Sequence, residues 1–261
     1  MATALISSLF ASRHNVDRIQ IADPDIDARE QLKRQWPVNC FEHAADAIKG
    51  MNAIVLAVKP QVLPMVLEEI GDLVNSEQLV ISIVAGIHTS QIAAQLKSDP
   101  PIVRTMPNTP ALIGLGITGM YARVNCSLSQ RELTQNLMQS AGEIVWLDKE
   151  SLLDVVTAVS GSGPAYFYYL VESLRDAGTR LGLPADVAAR LALYTAYGAS
   201  AMAVQSDKDV IELRQQVTTP GGTTEAAMEL FEAGHFRQLV DAAIEAATNR
   251  GQELADAGVQ V

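Results

Sequence analysis

Apolar residues recur along this chain in two rhythms, and the change between them falls near residue 149. In the first half, short apolar runs of strand length alternate with stretches in which apolar side chains return every three to four residues. Residues 2–11 carry Leu5, Ile6, Leu9 and Phe10 at helical spacing. Residues 18–22 read as a strand, 26–35 as a helix, and 53–58 as a continuous apolar strand suited to a parallel sheet covered on both faces. Helical spacing returns over 66–73, 91–96 and 130–140, with strands over 79–84, 102–105 and 143–147. This alternation predicts a doubly wound parallel sheet. From residue 149 the strand signal stops. Residues 151–158, 165–181, 186–205, 209–216, 224–233 and 236–255 all predict helices, punctuated by Gly163-Pro164, Gly182-Leu183-Pro184 and Pro220-Gly221-Gly222. The expected organisation is therefore an α/β domain over 1–148 and an all-helical domain over 149–261. Alanine clusters at 185–203 and 242–247 allow close helix packing, across a subunit interface included.

Composition narrows the function. A net charge of −11 argues against nucleic acid and anionic membranes as partners. Cys40 and Cys126 have neither metal-like nor redox spacing, which fits a reducing compartment, and the expected location is cytoplasmic. His14, His43, His88 and His235 form no ligand pattern, so no metal site is expected. No apolar run reaches the ~20 residues that a membrane helix needs. Residues 2–11 are apolar enough to imitate a signal-peptide core, but they lack a basic leading region and have helical spacing.

The most informative stretch is V-T-T-P-G-G-T-T-E-A-A-M at 217–228. Gly221 and Gly222 let backbone amides approach a ligand without side-chain obstruction. The helix that follows aims its free N–H groups and positive dipole end at the turn. Such a place binds a small anion, and Thr218, Thr219, Thr223 and Thr224 add hydroxyls. Elsewhere, Gly114, Gly116 and Gly119 spell G-x-G-x-x-G, but the motif carries weight only between a strand and a helix. Here it follows the turn at 107–110 and leads into a strand-like stretch, so it is not a cofactor loop. Ser160, Gly161 and Ser162 are not a nucleophile elbow, because no strand precedes them; they read as the turn that opens a long helix. Ala57, Val58, Lys59 and Pro60 end one sheet strand, and Met106, Pro107, Asn108 and Thr109 end another, at the edge where such folds bind ligands.

Five separated blocks in order, A-L-I-S-S-L-F at 4–10, V-L-A-V-K-P-Q at 55–61, V-R-T-M-P-N-T-P-A-L-I-G-L-G at 103–116, A-V-S-G-S-G-P-A-Y-F-Y-Y-L-V-E-S-L at 158–174 and the threonine-glycine turn, resemble pyrroline-5-carboxylate reductases, the enzymes that complete proline synthesis. The resemblance covers nearly the whole chain. It implies a Rossmann-type dinucleotide-binding domain, followed by an all-α substrate-binding domain that forms an intertwined homodimer and can assemble into a larger ring. The implied reaction is hydride transfer from NADPH, with NADH as an alternative, to the C=N bond of a cyclic imine bearing a carboxylate. By the same resemblance, Thr219, Gly221, Gly222 and Thr223 receive the substrate carboxylate. Thr224 then hydrogen-bonds the ring nitrogen as the catalytic residue, and Ser160 and Gly161 lie at the substrate pocket. Ala57, Val58, Lys59 and Pro60 flank the dinucleotide, while Met106, Pro107, Asn108 and Thr109 flank the nicotinamide.

The chain departs from the family pattern in three places. Such reductases carry a first strand and a glycine-rich turn before the A-L-I-S helix; here Met1 stands where that motif's methionine would be. A start codon assigned too far downstream is the expected explanation, with a truncated, non-catalytic oligomeric paralogue or a related imine or hydroxy-acid reductase as alternatives. Ala44 replaces an asparagine of the pattern, which removes one ribose or adenine contact. Asp23, after the second strand of the pattern, can accept from a ribose 2′-hydroxyl and repels a 2′-phosphate, or it can simply form a turn before Pro24.

Overall fold

The computed structural model describes residues 1–11 and 19–257, so Arg18, the first residue of the expected strand at 18–22, lies outside the described residues. Two compact units emerge, Met1–Ser162 with Ala247–Val261, and Gly163–Ala246.

The first unit opens with helix α1 (Ala2–Ala11), followed by strand β1 (Gln20–Ala22), α2 (Ile26–Gln35), β2 (Asn39–Phe41) and α3 (Ala44–Ala47). Strands β3 (Ala53–Leu56), β4 (Leu79–Ser82) and β5 (Ile102–Met106) are joined through α4 (Leu63–Ile70) and α5 (Thr89–Ala94). Then come a 3₁₀ turn (Thr109–Ile113), β6 (Gly116–Ala122), α6 (Leu128–Gln139) and β7 (Gly142–Trp146). Strand β2 and helix α3 have no counterpart in the periodicity, because each is too short to complete a period.

Strands β3 to β7 form one sheet in sequence order, parallel except where β6 runs against β5. The antiparallel pair departs from the all-parallel expectation. Its connection is a short 3₁₀ turn rather than a helical crossover, and only a crossover returns the chain in the same direction. The inner strands β4 and β5 are buried on both faces by alternation along each strand. Val80 and Ile102 face a layer with Leu56, Leu63, Leu67, Ile70 and Ile92. Leu79, Ile81 and Val103 face another with Ala4, Leu5, Met120 and Met138. That two-sided burial is why the strands read as unbroken apolar runs.

Strand β1 pairs in parallel with β2 alone, in the register Gln20↔Asn39, and β3 pairs only with β4. Among the described residues, no strand lies on the free edge of β1 or of β3. Val55 of β3 is 42% exposed although its neighbours Ile54 and Leu56 are buried. Helix α1 packs beside this place, with Ala4 and Leu5 in one cluster with Ala53, Leu79 and Ile81.

The first unit does not stop where the strand signal stops. Helix α7 (Leu152–Val156) and a π-helical turn (Thr157–Gly161) remain part of it. Gly119 of β6 makes this packing close, since a Cβ there would sit 2.8 Å from Val156 Cγ1 and 3.3 Å from Leu153 Cδ2. The last glycine of the literal G-x-G-x-x-G thus admits a helix, and Gly114, at φ +73°, ends the 3₁₀ turn in the left-handed region.

The second unit contains α8 (Gly163–Arg180), α9 (Ala185–Gln205), α10 (Val210–Gln216), α11 (Thr223–Ala233) and most of α12 (Phe236–Ala257), whose end belongs to the first unit. Helices α8 and α9 close on each other at Gly178, where a Cβ would meet Leu183 Cδ1 at 3.2 Å and Ala188 Cβ at 3.4 Å. Buried residues between 163 and 246 are limited to Gly163, Ala188 and Ala192. Large apolar side chains stay open along α8 from Tyr166 to Leu174, with Phe167 at 60% and Tyr169 at 72% exposure.

Fusing an apolar strand and a glycine-rich turn ahead of Ala2 is expected to raise the urea midpoint, as the unfolding free energy grows by roughly 1.5–3 kcal/mol for each apolar side chain newly buried. An unchanged midpoint would show that the free edges of β1 and β3 do not form one acceptor for a strand.

Candidate active site

Because β3, β4 and β5 are parallel, their carboxyl ends share one edge of the sheet. Strand β3 delivers Ala57 and Lys59, both exposed, with Val58 and Pro60 half-buried; Pro60 starts a 3₁₀ turn. The Lys59 ammonium meets no carboxylate among the described residues. Strand β5 delivers Met106, then buried Pro107 and Asn108 and exposed Thr109.

The π turn comes back to this edge. Asn108 is 8% exposed and works in both directions. Its Nδ2 donates to the Ser160 carbonyl at 3.2 Å, and its Oδ1 accepts from the Ile117 amide at 3.0 Å. Gly161 lies against Met106 so closely that a Cβ would come 2.7 Å from the Met106 methyl. The Ser160 hydroxyl donates back to the Val156 carbonyl at 3.0 Å and is therefore no free nucleophile. Met106, Asn108, Ser160 and Gly161, four of the sequence-predicted site residues, converge at the end of β5. The widened turn makes this meeting fit, with the Ser162 amide donating to the Thr157 carbonyl at 2.8 Å.

Asp23 follows β1. One carboxylate oxygen accepts from the Asp25 amide at 2.9 Å, which is the turn geometry expected before Pro24. Beside it the largely buried Arg29 guanidinium donates to the Asp23 carbonyl at 2.7 Å and the Pro24 carbonyl at 3.0 Å. A carboxylate and a cation therefore stand together at the end of β1. Arg29 was missed in the sequence because it lies within the polar spacing of α2.

In the second unit the threonine-glycine turn has a definite division of labour. The Thr218 hydroxyl donates to the Arg214 carbonyl at 2.7 Å, which closes the end of α10. The Gly222 amide donates to the Thr219 carbonyl at 2.9 Å, and the Gly221 amide to Glu225 Oε2 at 2.6 Å. Gly221 takes φ +71°, which only glycine adopts cheaply. A Cβ on Gly222 would strike the Thr219 hydroxyl at 2.6 Å. Helix α11 starts at Thr223 with no side-chain cap, so the amides of its first turn point outward unpaired. The hydroxyls of Thr219, Thr223 and Thr224 make no hydrogen bond among the described residues, and Thr224 is half-buried. The amides of Thr223 and Thr224 therefore remain available to an anion, while those of Gly221 and Gly222 are used within the turn. Glu225 is a site-adjacent carboxylate that the sequence reading passed over; its position four residues after Gly221 was the available signal.

No group of three His, Cys, Asp or Glu side chains suited to a metal ion occurs among the described residues. Burial pushes the thiols of Cys40 and Cys126 above the ordinary range, so both stay protonated near neutral pH. No helix of the described residues is long and apolar enough to cross a membrane.

Residues 150–254 match the model for pyrroline-5-carboxylate reductase dimerisation, and residues 1–86 match that for NADP oxidoreductase, coenzyme F420-dependent. Over 256 residues the chain is 42% identical to the pyrroline-5-carboxylate reductase of Pseudomonas aeruginosa, a match that spans 98% of this chain and 94% of that one. The chain belongs to the pyrroline-5-carboxylate reductase family. The reductase of Haemophilus influenzae is 35% identical over 97% of this chain and 94% of its own. Among solved structures, the reductase from Coxiella burnetii superposes with a TM-score of 0.93 at 36% identity, covering 97% of this chain and 94% of that one. Pyrroline carboxylate reductase from Plasmodium falciparum, solved with NADP bound, gives a TM-score of 0.84 at 30% identity with the same coverage. The fold of the present reductase is thus a Rossmann-type sheet followed by the family's helical dimerisation domain.

Replacing Asn108 by Ala leaves a carbonyl and an amide without their partner and is expected to cost about 1–3 kcal/mol in urea unfolding. Asn108→Asp keeps the acceptor for Ile117 but turns an oxygen towards the Ser160 carbonyl, so it should be no better than Ala. An unchanged midpoint in both variants would mean that water replaces the two bonds.

Proposed function

We propose that this reductase converts 1-pyrroline-5-carboxylate to L-proline, the last step of proline synthesis, with the substrate carboxylate held at the start of α11. As a member of its family the chain is an NAD(P)H-dependent oxidoreductase; the C=N bond and this substrate are the proposal. The observation that carries it is the uncapped start of α11, where unpaired amides, the positive end of a helix and three uncommitted hydroxyls surround one glycine turn.

The residues present fit a nicotinamide dinucleotide. Small Ala57 and unpaired Lys59 line the end of β3, Met106 and Thr109 stand open at the end of β5, and Asp23 with Arg29 stands at the end of β1. Bound there, the dinucleotide supplies the hydride. What remains for the chain is to orient an imine whose protonated nitrogen is already electrophilic, so positioning provides most of the catalysis. The amides of Thr223 and Thr224 take the carboxylate. Gly221 already donates to Glu225 and Gly222 to the Thr219 carbonyl, which leaves the Thr223 and Thr224 amides for the substrate carboxylate. The Thr224 hydroxyl accepts the N–H of the protonated ring nitrogen, and the π electrons of C=N end on that nitrogen as the hydride arrives at carbon. No side chain has to give up a proton.

A carboxylate beside a guanidinium at the end of β1 leaves room for either dinucleotide, because Asp23 suits a 2′-hydroxyl while Arg29 suits a 2′-phosphate. The open apolar faces of α8 and α9 fit burial against a second copy, which supports a homodimer as the working form; assembly into a larger ring and a cytoplasmic location belong to the same proposal.

The decisive experiment follows reduced-nicotinamide absorbance when purified protein meets 1-pyrroline-5-carboxylate. Turnover supports the reading, and its absence with both cofactors overturns it for the chain as it stands. Thr224→Ala is expected to lower kcat on the order of 10- to 100-fold, the value of one hydrogen bond to a charged group, with dinucleotide affinity unchanged. Equal turnover in that variant would remove Thr224 from the mechanism. Asp23→Ala should lower KM for NADPH relative to NADH, and an unchanged ratio would assign Asp23 to the turn alone.

A further inference from the structure

Arg104 occupies an unusual place for a cation, the middle of a central strand with 3% of its surface exposed. Its Nη2 donates to Asp154 Oδ1 at 3.1 Å and its Nη1 to Glu150 Oε1 at 3.4 Å. Nη1 also lies 3.2 Å from His88 Nδ1, which accepts in the neutral tautomer. Glu150 is held from its other side by Thr89, whose amide and hydroxyl each donate at 2.7 Å. One guanidinium therefore ties β5 to the start of α5, to Glu150 just before α7 and to Asp154 within it.

We propose that Arg104 is a positioning residue for hydride transfer, fixing the π turn against the end of β5. This rests on the function proposed above. Two residues beyond Arg104 lies Met106, and six beyond Asp154 lies Ser160, so the elements it joins are those that meet at Gly161 and Asn108. The two elements are in contact there, since a Cβ added at Gly161 would lie 2.7 Å from the Met106 methyl and that side chain would have to move aside. A planar guanidinium fork bonded to two carboxylates sets direction as well as distance, which an ammonium cannot do. Burial of such a pair is a poor way to gain stability, since apolar residues of similar size stabilise as well or better. Its use here therefore points to geometry. The detectable sequence signal was an arginine inside an otherwise buried apolar strand.

The test compares wild type, Arg104→Lys and the double variant Arg104→Met/Asp154→Leu, the last replacing the most buried pair by apolar side chains while Glu150, with 17% of its side chain exposed, keeps its two bonds from Thr89. Thermal unfolding is measured first, then hydrogen exchange of the peptide covering 157–162, NADPH binding by fluorescence, and kcat with 1-pyrroline-5-carboxylate. In the double variant, the expected result is a wild-type Tm and NADPH affinity, exchange at 157–162 faster by on the order of tenfold, and kcat lower by about 10- to 100-fold, as a small misplacement of reacting groups produces. Arg104→Lys should show the same direction. Wild-type exchange and wild-type kcat in a variant that unfolds at the wild-type temperature would overturn the proposal. Should the wild-type chain itself reduce no imine, the function reading falls while the exchange data still decide whether Arg104 holds the turn.

Discussion

Because β4 and β5 are covered on both faces, with Ile81, Ile102 and Val103 excluded from water, the sheet can meet a ligand only where its strands end. Everything chemical in the first unit follows from that restriction. The residues proposed to hold the dinucleotide are among the first past Ala22, Leu56 and Met106, where the backbone leaves the ladder and its groups become free. The strands supply rigidity and alignment, and the short turns after them supply the chemistry. The single antiparallel strand, β6, serves the same edge from the far side: its Ile117 amide anchors Asn108 while its Gly119 lets α7 lie close.

The second unit solves a different problem. Its threonine-glycine turn leads into a helix whose first N–H groups no side chain caps. Two glycines shape the turn in complementary ways, Gly221 by taking a left-handed backbone and Gly222 by leaving room for the Thr219 hydroxyl. The chain then begins α11 without a capping side chain, which leaves amides unsatisfied that a serine or aspartate cap would have consumed. The same unit keeps aromatic and aliphatic side chains open along α8 and α9, a surface too apolar to be left to water and in keeping with the dimerisation family it matches.

Much of the fold was legible because its periodicities are long and clean. The helices at 165–181, 186–205 and 236–255 return within a few residues of their expected ends, and the buried strands announce themselves as Ile-, Leu- and Val-rich runs. What escaped was short or dictated from outside. Strand β2 has only three residues, and β6 reverses direction because its connection is brief. The first compact unit extends to Ser162 because α7 packs on Gly119 and Leu153 is fully buried there, although no strand remains to signal it. The convergence of Ser160 and Asn108 could not be read, since 52 residues separate them.

By itself, the sequence determined the classes of element, the division into a sheet-bearing and a helical part, the threonine-glycine turn and the family to which all of it points. These are local properties: they depend on side-chain spacing of two or 3.6 residues and on glycines at one turn. The tertiary structure alone decided which amides of that turn stay free, which hydroxyls are already spent, and how Arg104 binds two carboxylates far along the chain. Those outcomes depend on distances between residues remote in sequence, set by how whole elements pack, and no local pattern carries that information.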